Sequence, residues 1–217
     1  MREADLRGRR VLEVGCGTGL FAAALAERAV AKVWAVDASP EMLAVARAQA
    51  PRVAFRQASA DRLPFKPAAF ERAVARLVVH VLDHPRAFAE LRRVLQPDGR
   101  LVIASFDPAH VRGYWLNRFF PSILTIDLAR FPAVETLDRE LREAGFAAVR
   151  PIHHRQRATI DRATALERIR GRHISTFDLI DESEIEAGVK RVEAELPAEV
   201  EYALEWLVVV ASCSSPR

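Results

Sequence analysis

Apolar positions along the chain come in short runs, and their spacing switches between strand-like and helical. Val11 to Val14 is mainly apolar and leads into Gly15, Gly17 and Gly19. The amphipathic run Leu20 to Ala29 follows with no gap, so a strand, a tight turn and a helix are expected. Lys32 to Asp37 is a second strand ending on an acid. Ser39 and Pro40 fit the N-cap and first turn of a helix that carries Met42, Leu43, Val45 and Ala46 on its apolar side and is closed by Pro51. Val53 to Gln57 reads as a third strand. Glu71 to Ala75 is a weak fourth, in which Arg72 is awkward if both faces are buried. Pro85 to Leu95 places Phe88, Leu91 and Leu95 on one helical face; Gln96 to Gly99 is a turn, and Leu101 to Ser105 a fifth strand. Val134 to Ala144 is a helix stopped by Gly145, and Phe146 to Ile152 and Ala203 to Ala211 are the last two strands.

This alternation predicts an α/β fold with a doubly wound, mostly parallel sheet covered on both faces. Two stretches break the rhythm. One, about 107–132, carries Tyr114, Trp115, Phe119, Phe120 and Phe131. The other, about 153–201, holds two helices. The first runs from Arg162 to Arg170; the second starts at Asp181, which with Glu184 suggests a capping box, and ends near Pro197. Connections this long inside a compact domain are usually functional. The chain is therefore expected to be a single ligand-binding domain, residues 1–217, in which both insertions form a helical cap over the carboxyl ends of the strands.

Composition narrows the function classes. The 217 residues are half hydrophobic and 28% charged, which is globular and not disordered. Net charge is only +3, and Lys32, Lys66 and Lys190 are the only lysines, so arginine supplies the positive charge as a compositional bias. No dense basic run suits a phosphate backbone, and no nucleic-acid partner is expected. Cys16 and Cys213, the only cysteines, fit a reducing compartment with no disulfide framework. Met1 to Arg10 has no apolar signal-peptide core, and the longest apolar run, Trp206 to Ala211, is too short for a bilayer. A cytoplasmic protein without membrane insertion is the expectation; association as a homodimer is left open.

The glycine turn carries the chemistry. Glycine allows a sharp reversal and a close backbone approach to a ligand, and the following helix presents free N–H groups and its positive dipole end. A dinucleotide turn is G-x-G-x-x-G; here the third glycine comes one residue early and Leu20 stands in the dinucleotide position. The Gly-Lys-Ser/Thr of a P-loop is absent. Glu13, two residues before the first glycine, is a poor neighbour for a pyrophosphate and a good one for an ammonium. A ligand with both an ammonium and a carboxylate, such as the methionine end of S-adenosylmethionine (SAM), fits best. Asp37, 18 residues after Gly19, can accept both hydrogen bonds of a ribose diol, which NAD would also satisfy. Ala38 and Met42 can pack on an adenine, and Ser59-Ala60-Asp61 after the third strand can read its amino and ring nitrogens.

Taken together, Glu-Val-Gly-Cys-Gly-Thr-Gly, Val-Asp-Ala-Ser-Pro-Glu-Met-Leu, Ala-Ser-Ala-Asp-Arg-Leu-Pro-Phe, Leu-Val-Val-His-Val-Leu-Asp-His and Leu-Gln-Pro-Asp-Gly-Arg-Leu, in this order, resemble the class I SAM-dependent methyltransferases. The similarity is to the branch that includes ubiquinone/menaquinone-type and other small-molecule enzymes (methyltransferase type 11), and it covers about residues 9 to 152 and the last strand. The resemblance implies a Rossmann-like seven-stranded sheet with the last strand antiparallel. It places Gly15, Cys16, Gly17, Thr18 and Gly19 at the methionine moiety, Asp37 at the ribose and Ser59 to Asp61 at the adenine. Two departures stand out. Ser59 replaces the family's usual Asp, so Asp61 is expected to share its role. About ten residues precede the first strand, where relatives commonly have one or two lid helices; the second insertion, a partner subunit or a longer native start would have to supply that cover.

In-line displacement at the SAM methyl, leaving S-adenosylhomocysteine (SAH), is then the expected reaction on a small-molecule acceptor. Positioning in a dry pocket can be worth roughly 7–11 kcal/mol. His80 is the candidate general base, with a structural or cofactor-packing role as its equal alternative; Arg76 and Leu77 are expected to border the methyl. Tyr114, Trp115, Arg118, Arg170 and His173 are candidates for substrate contact, or for the core of the cap. No metal site is expected: Val81 occupies the Glu position of a zincin between His80 and His84, and adjacent His153 and His154 point to opposite faces of a strand. The rival readings are a non-catalytic SAM- or SAH-binding protein and an NAD-dependent oxidoreductase, the latter disfavoured by the glycine spacing.

Overall fold

The computed structural model describes residues 5–28 and 32–214; Ala29, the expected end of the first helix, and the first four residues of the charged start lie outside them. The chain runs β1 (Arg10–Val14), α1 (Leu20–Arg28), β2 (Lys32–Asp37), α2 (Pro40–Gln49), β3 (Ala54–Gln57), β4 (Phe70–Arg76), α3 (His84–Val94), β5 (Leu95–Phe106), α4 (Pro108–Gly113), α5 (Pro121–Arg130), α6 (Val134–Glu143), β6 (Ala148–Asp161), α7 (Arg162–Arg170), α8 (Glu182–Glu195) and β7 (Glu199–Ser212). One seven-stranded sheet results, in the order β3-β2-β1-β4-β5-β7-β6. The pairs β1–β2, β1–β4, β2–β3 and β4–β5 are parallel. Strand β7 runs the other way: Cys213, just past its end, donates to Gly99 near the start of β5, and Ala147, just before β6, donates to Ser212.

Strand residues alternate between two buried layers. Leu12, Val14, Ala73, Ala75, Leu101 and Ile103 lie in one cluster, and Val11, Val74, Val102, Val33 and Ala35 in another. Burial on both faces is what a parallel sheet with helices on each side requires. Arg72, the odd residue of β4, is accommodated by ion pairing: its guanidinium lies 2.9 Å from Asp5 and also donates to the Glu71 carbonyl at 2.7 Å. Ser39 caps α2 as expected, its hydroxyl accepting from the Met42 N–H at 3.1 Å.

Three local expectations are corrected. Gln96–Gly99 does not end an element; it is extruded within β5, where pairing with β4 jumps from Phe70↔Leu95 to Arg72↔Arg100. The last two strands are each 14 residues long, so the second insertion begins and ends as strand. The added part of β6 is a mostly exposed, mostly polar run on an edge strand, in which only Ala158 and Ile160 are apolar, too short an alternation to read; such polar edges are a common guard against edge-to-edge pairing. The expected capping box does not form: Asp181 stands at the N-cap of α8 without a side-chain bond, the Glu184 N–H bonds the Asp181 carbonyl instead, and the Glu184 carboxylate accepts from the Ser122 N–H at 3.0 Å and the Ser122 hydroxyl at 2.5 Å.

The chain divides into two compact units. The first holds residues up to Ser105, Val134–Ile152 and the chain from Leu207 onward; the second joins Phe106–Ala133 to His153–Trp206. The second unit has its own apolar cluster, including Leu116, Phe120, Ile123, Ile169, Phe177 and Val192.

Candidate functional site

The residues between β1 and α1 are shaped by what surrounds them. Gly15 has φ +69°, and a Cβ there would lie 2.3 Å from Val78 Cγ2, so no other residue fits between the turn and the chain after β4. Gly17, at φ +52°, is the opposite case: an added Cβ would meet nothing within 4 Å, so the backbone borders open space that a ligand can approach closely. Most donors of the turn are already used. The Gly15 and Cys16 N–H groups bond the Val36 carbonyl, and the Gly19 N–H bonds the Cys16 carbonyl. The N–H groups in the first turn of α1 have no intrahelical acceptors and are the donors left for an anionic group.

Asp37 is tied into the same turn. One carboxylate oxygen accepts from the Gly17 N–H at 2.7 Å and the other from the Ser39 N–H at 3.0 Å. Each oxygen keeps a free lone pair, so the carboxylate is oriented by the protein and can still accept from a diol. Glu13, the penultimate residue of β1, is 2% exposed, and its Oε2 has no hydrogen-bond partner among the described residues. Burial drives its pKa up to about 8; Arg76 opposes that shift and Asp37 adds to it. Burial, with Glu13 and Asp37 adding, also pushes the Cys16 thiol up to about 12, which keeps it in the neutral thiol form near neutral pH.

The other expected contacts fall around the carboxyl ends of neighbouring strands. Ala38 is exposed and Met42 is 45% exposed on the first turn of α2, where an apolar ring can cover them. Ser59 is exposed, Ala60 buried and Asp61 half-buried in the segment after β3, and the Arg62 N–H bonds the Ser59 carbonyl. After β4, Leu77 holds a left-handed backbone, φ +51°, while its N–H bonds the Ala104 carbonyl. Such strain in a non-glycine residue is found where surroundings dictate the conformation, often at functional sites. The Arg76 guanidinium lies over the Phe21 ring, 5.6 Å from its centroid. His80 is half-buried in the short 3₁₀ segment Val79–Val81. That turn is held by His84, whose Nε2 lies 2.8 Å from the Val79 carbonyl and whose Nδ1 lies 2.7 Å from Glu140 of α6.

The residues considered for substrate contact all lie in the second unit. Burial first, with Tyr202 and Asp127, raises the Tyr114 phenol above its ordinary pKa. Trp115 meets the rings of Tyr114, Phe119 and Tyr202 edge-on or tilted. Arg118 pairs with Glu195 at 3.0 Å, Arg170 pairs with Glu193, and His173 Nδ1 lies 3.0 Å from the Arg168 carbonyl. Both arginines thus have carboxylate partners within their own unit.

Two residues that sequence reasoning missed are Glu90 and Arg93 of α3. Their spacing of three predicts that they meet on the helix surface, but the backbone groups they bind, in the segment after β3, leave no sequence signal.

Comparison with known proteins shows the family. Residues 12–103 match the family model for a methyltransferase domain. The chain is 36% identical over 169 residues to a demethylmenaquinone methyltransferase of Clavibacter sepedonicus, covering 67% of this chain and 69% of that protein. It is 35% identical over 162 residues to the O-methyltransferase cnsE of Penicillium expansum, covering 69% of this chain but only 56% of that protein. The solved structure of the YcgJ protein from Bacillus subtilis shares the fold, with a TM-score of 0.68, 21% identity and coverage of 99% of this chain and 96% of that one.

Proposed function

The chain belongs to the class I SAM-dependent methyltransferases, and from that membership we propose that it transfers a methyl group from SAM to a small-molecule acceptor. One observation carries the fit of the cofactor to these residues. Among the described residues, a buried carboxyl oxygen of Glu13 has no hydrogen-bond partner close to a turn whose Gly17 leaves open space, which suits a ligand that brings a cation. SAM supplies an activated methyl on a sulfonium, and its methionine end adds an ammonium and a carboxylate. Glu13 would hold the ammonium, the start of α1 the carboxylate, Asp37 the ribose and Ser59–Asp61 the adenine. Leu77 would border the reacting carbon, and His80 would take a proton from an acceptor that must lose one. The two cysteines, both free and buried, support a reducing, cytoplasmic setting. Among the described residues, no helix is long and apolar enough to cross a membrane.

Calorimetric titration of the purified chain with SAM and SAH, and with NADH as control, tests the reading. Micromolar SAH binding that disappears in Asp37→Ala, with no NADH binding, is the expected result. A folded chain that binds neither SAM nor SAH would sink it.

A further inference from the structure

Strands β3 and β4 are joined by residues 58–69, a crossover with no helix or strand of its own. Its shape therefore depends on groups outside it, and α3 supplies them. Glu90 accepts from the Leu63 N–H at 2.7 Å. The Arg93 guanidinium donates to the Leu63 carbonyl at 3.1 Å and the Phe65 carbonyl at 2.8 Å, and the Arg93 carbonyl accepts from the Ala68 N–H at 3.0 Å. The two side chains are joined by two further bonds, Nε to Oε1 at 2.5 Å and Nη2 to Oε2 at 2.7 Å. Arg93 holds the Glu90 carboxyl below its ordinary range, as a paired carboxylate should be. One helical turn thus grips both backbone groups of Leu63, whose side chain is itself buried in the core.

From this geometry we propose that Glu90 and Arg93 are positioning residues that set adenine recognition. The proposal rests on the methyltransferase reading of the site. Ser59, Ala60 and Asp61 lie just upstream of the gripped residue, and the Ser59 carbonyl closes a turn with the Arg62 N–H, so Leu63 anchors the end of that turn. Neither Glu90 nor Arg93 touches the cofactor in this scheme. Their removal leaves part-buried carbonyls and an N–H without partners, and the segment that reads the adenine edge loses its fixed position. Discrimination at the adenine amino group should then fall more than binding as a whole.

The experiment compares SAH with S-inosylhomocysteine, the analogue with an oxo group in place of the adenine amino group, by calorimetry on the full chain. The wild-type chain is expected to prefer SAH. Arg93→Met should weaken SAH binding about tenfold or more and bring the two ligands close to equal affinity. Glu90→Gln, which keeps an acceptor for the Leu63 N–H and is the safer variant for folding, should lie between. Arg142→Met, which removes an exposed pair with Asp138 on α6, should change neither affinity. Unchanged SAH affinity in folded Arg93→Met and Glu90→Gln overturns the proposal. So does an equal loss for both ligands that keeps their ratio, which is what a merely structural role would give. A wild-type chain that binds no SAH would instead remove the underlying methyltransferase reading, and this proposal with it.

Discussion

Glu13 shows how much one residue can reveal. A carboxyl placed inside a strand with one oxygen unpartnered is costly as an anion, so in the ligand-free protein it holds its proton up to about pH 8. The unfolded chain releases that proton near the ordinary value of 4.5. Between those two values the folded state binds the extra proton, so rising pH costs stability throughout the window, and the full cost is present above about 8. Glu13→Gln should therefore be the more stable protein above that pH, with the gap closing as pH falls toward 4.5; denaturant midpoints across the pH range measure it. The same proton links to function. A bound ammonium favours the ionised carboxylate, so SAM binding near neutral pH should release about one proton and tighten as pH rises toward 8. Titrations in buffers of different ionisation enthalpy would show the release in the wild-type chain and its loss in Glu13→Gln. Equal proton release in both proteins would exclude Glu13 as the cationic contact.

Elements were legible where a local rule fixes them. The glycine turn, Ser39 at the N-cap of α2, the full length of α7 and the Gly145 stop each follow from residues adjacent in sequence. Elements whose limits depend on distant partners were not. The outer half of β6 is mostly polar, with Ile160 its one buried residue, and is strand because β7 extends beside it; Glu184 caps nothing in its own helix because Ser122 of α5 claims it. Gly188 of α8 belongs to the same class. In sequence it is a mid-helix weakness, and alanine should gain about 1 kcal/mol by propensity. In the fold a Cβ at Gly188 would lie 2.1 Å from Phe120 Cε1, so the helix packs on that ring through the missing side chain. Overpacking typically costs about 1–3 kcal/mol, and an overlap this deep exceeds the propensity gain. Gly188→Ala should lower the melting temperature, and adding Phe120→Leu should recover part of the loss. A stabilised Gly188→Ala would mean that α8 does not pack on Phe120.

For the whole molecule, the cofactor contacts assigned by sequence come from four separate strand ends of the first unit: the turn after β1, Asp37 at the end of β2, Ser59–Asp61 after β3 and Leu77 after β4. That distribution was readable because parallel sheets bring successive carboxyl ends to one edge. It also has a thermodynamic consequence. A ligand that bridges four chain segments binds the folded chain and has no site on the unfolded one. Its stabilisation is set by mass action, about 2.7 kcal/mol at a hundredfold excess over the dissociation constant. In a chain of 217 residues that corresponds to a rise in melting temperature of roughly 5–10 °C. SAH should produce this rise, growing with the logarithm of its concentration, and NADH at the same concentration should not. Asp37→Ala should abolish it, since that carboxylate both orders the glycine turn through Gly17 and is the proposed acceptor for the ribose. A rise with SAH that persists in Asp37→Ala would place the ligand somewhere other than this edge of the sheet.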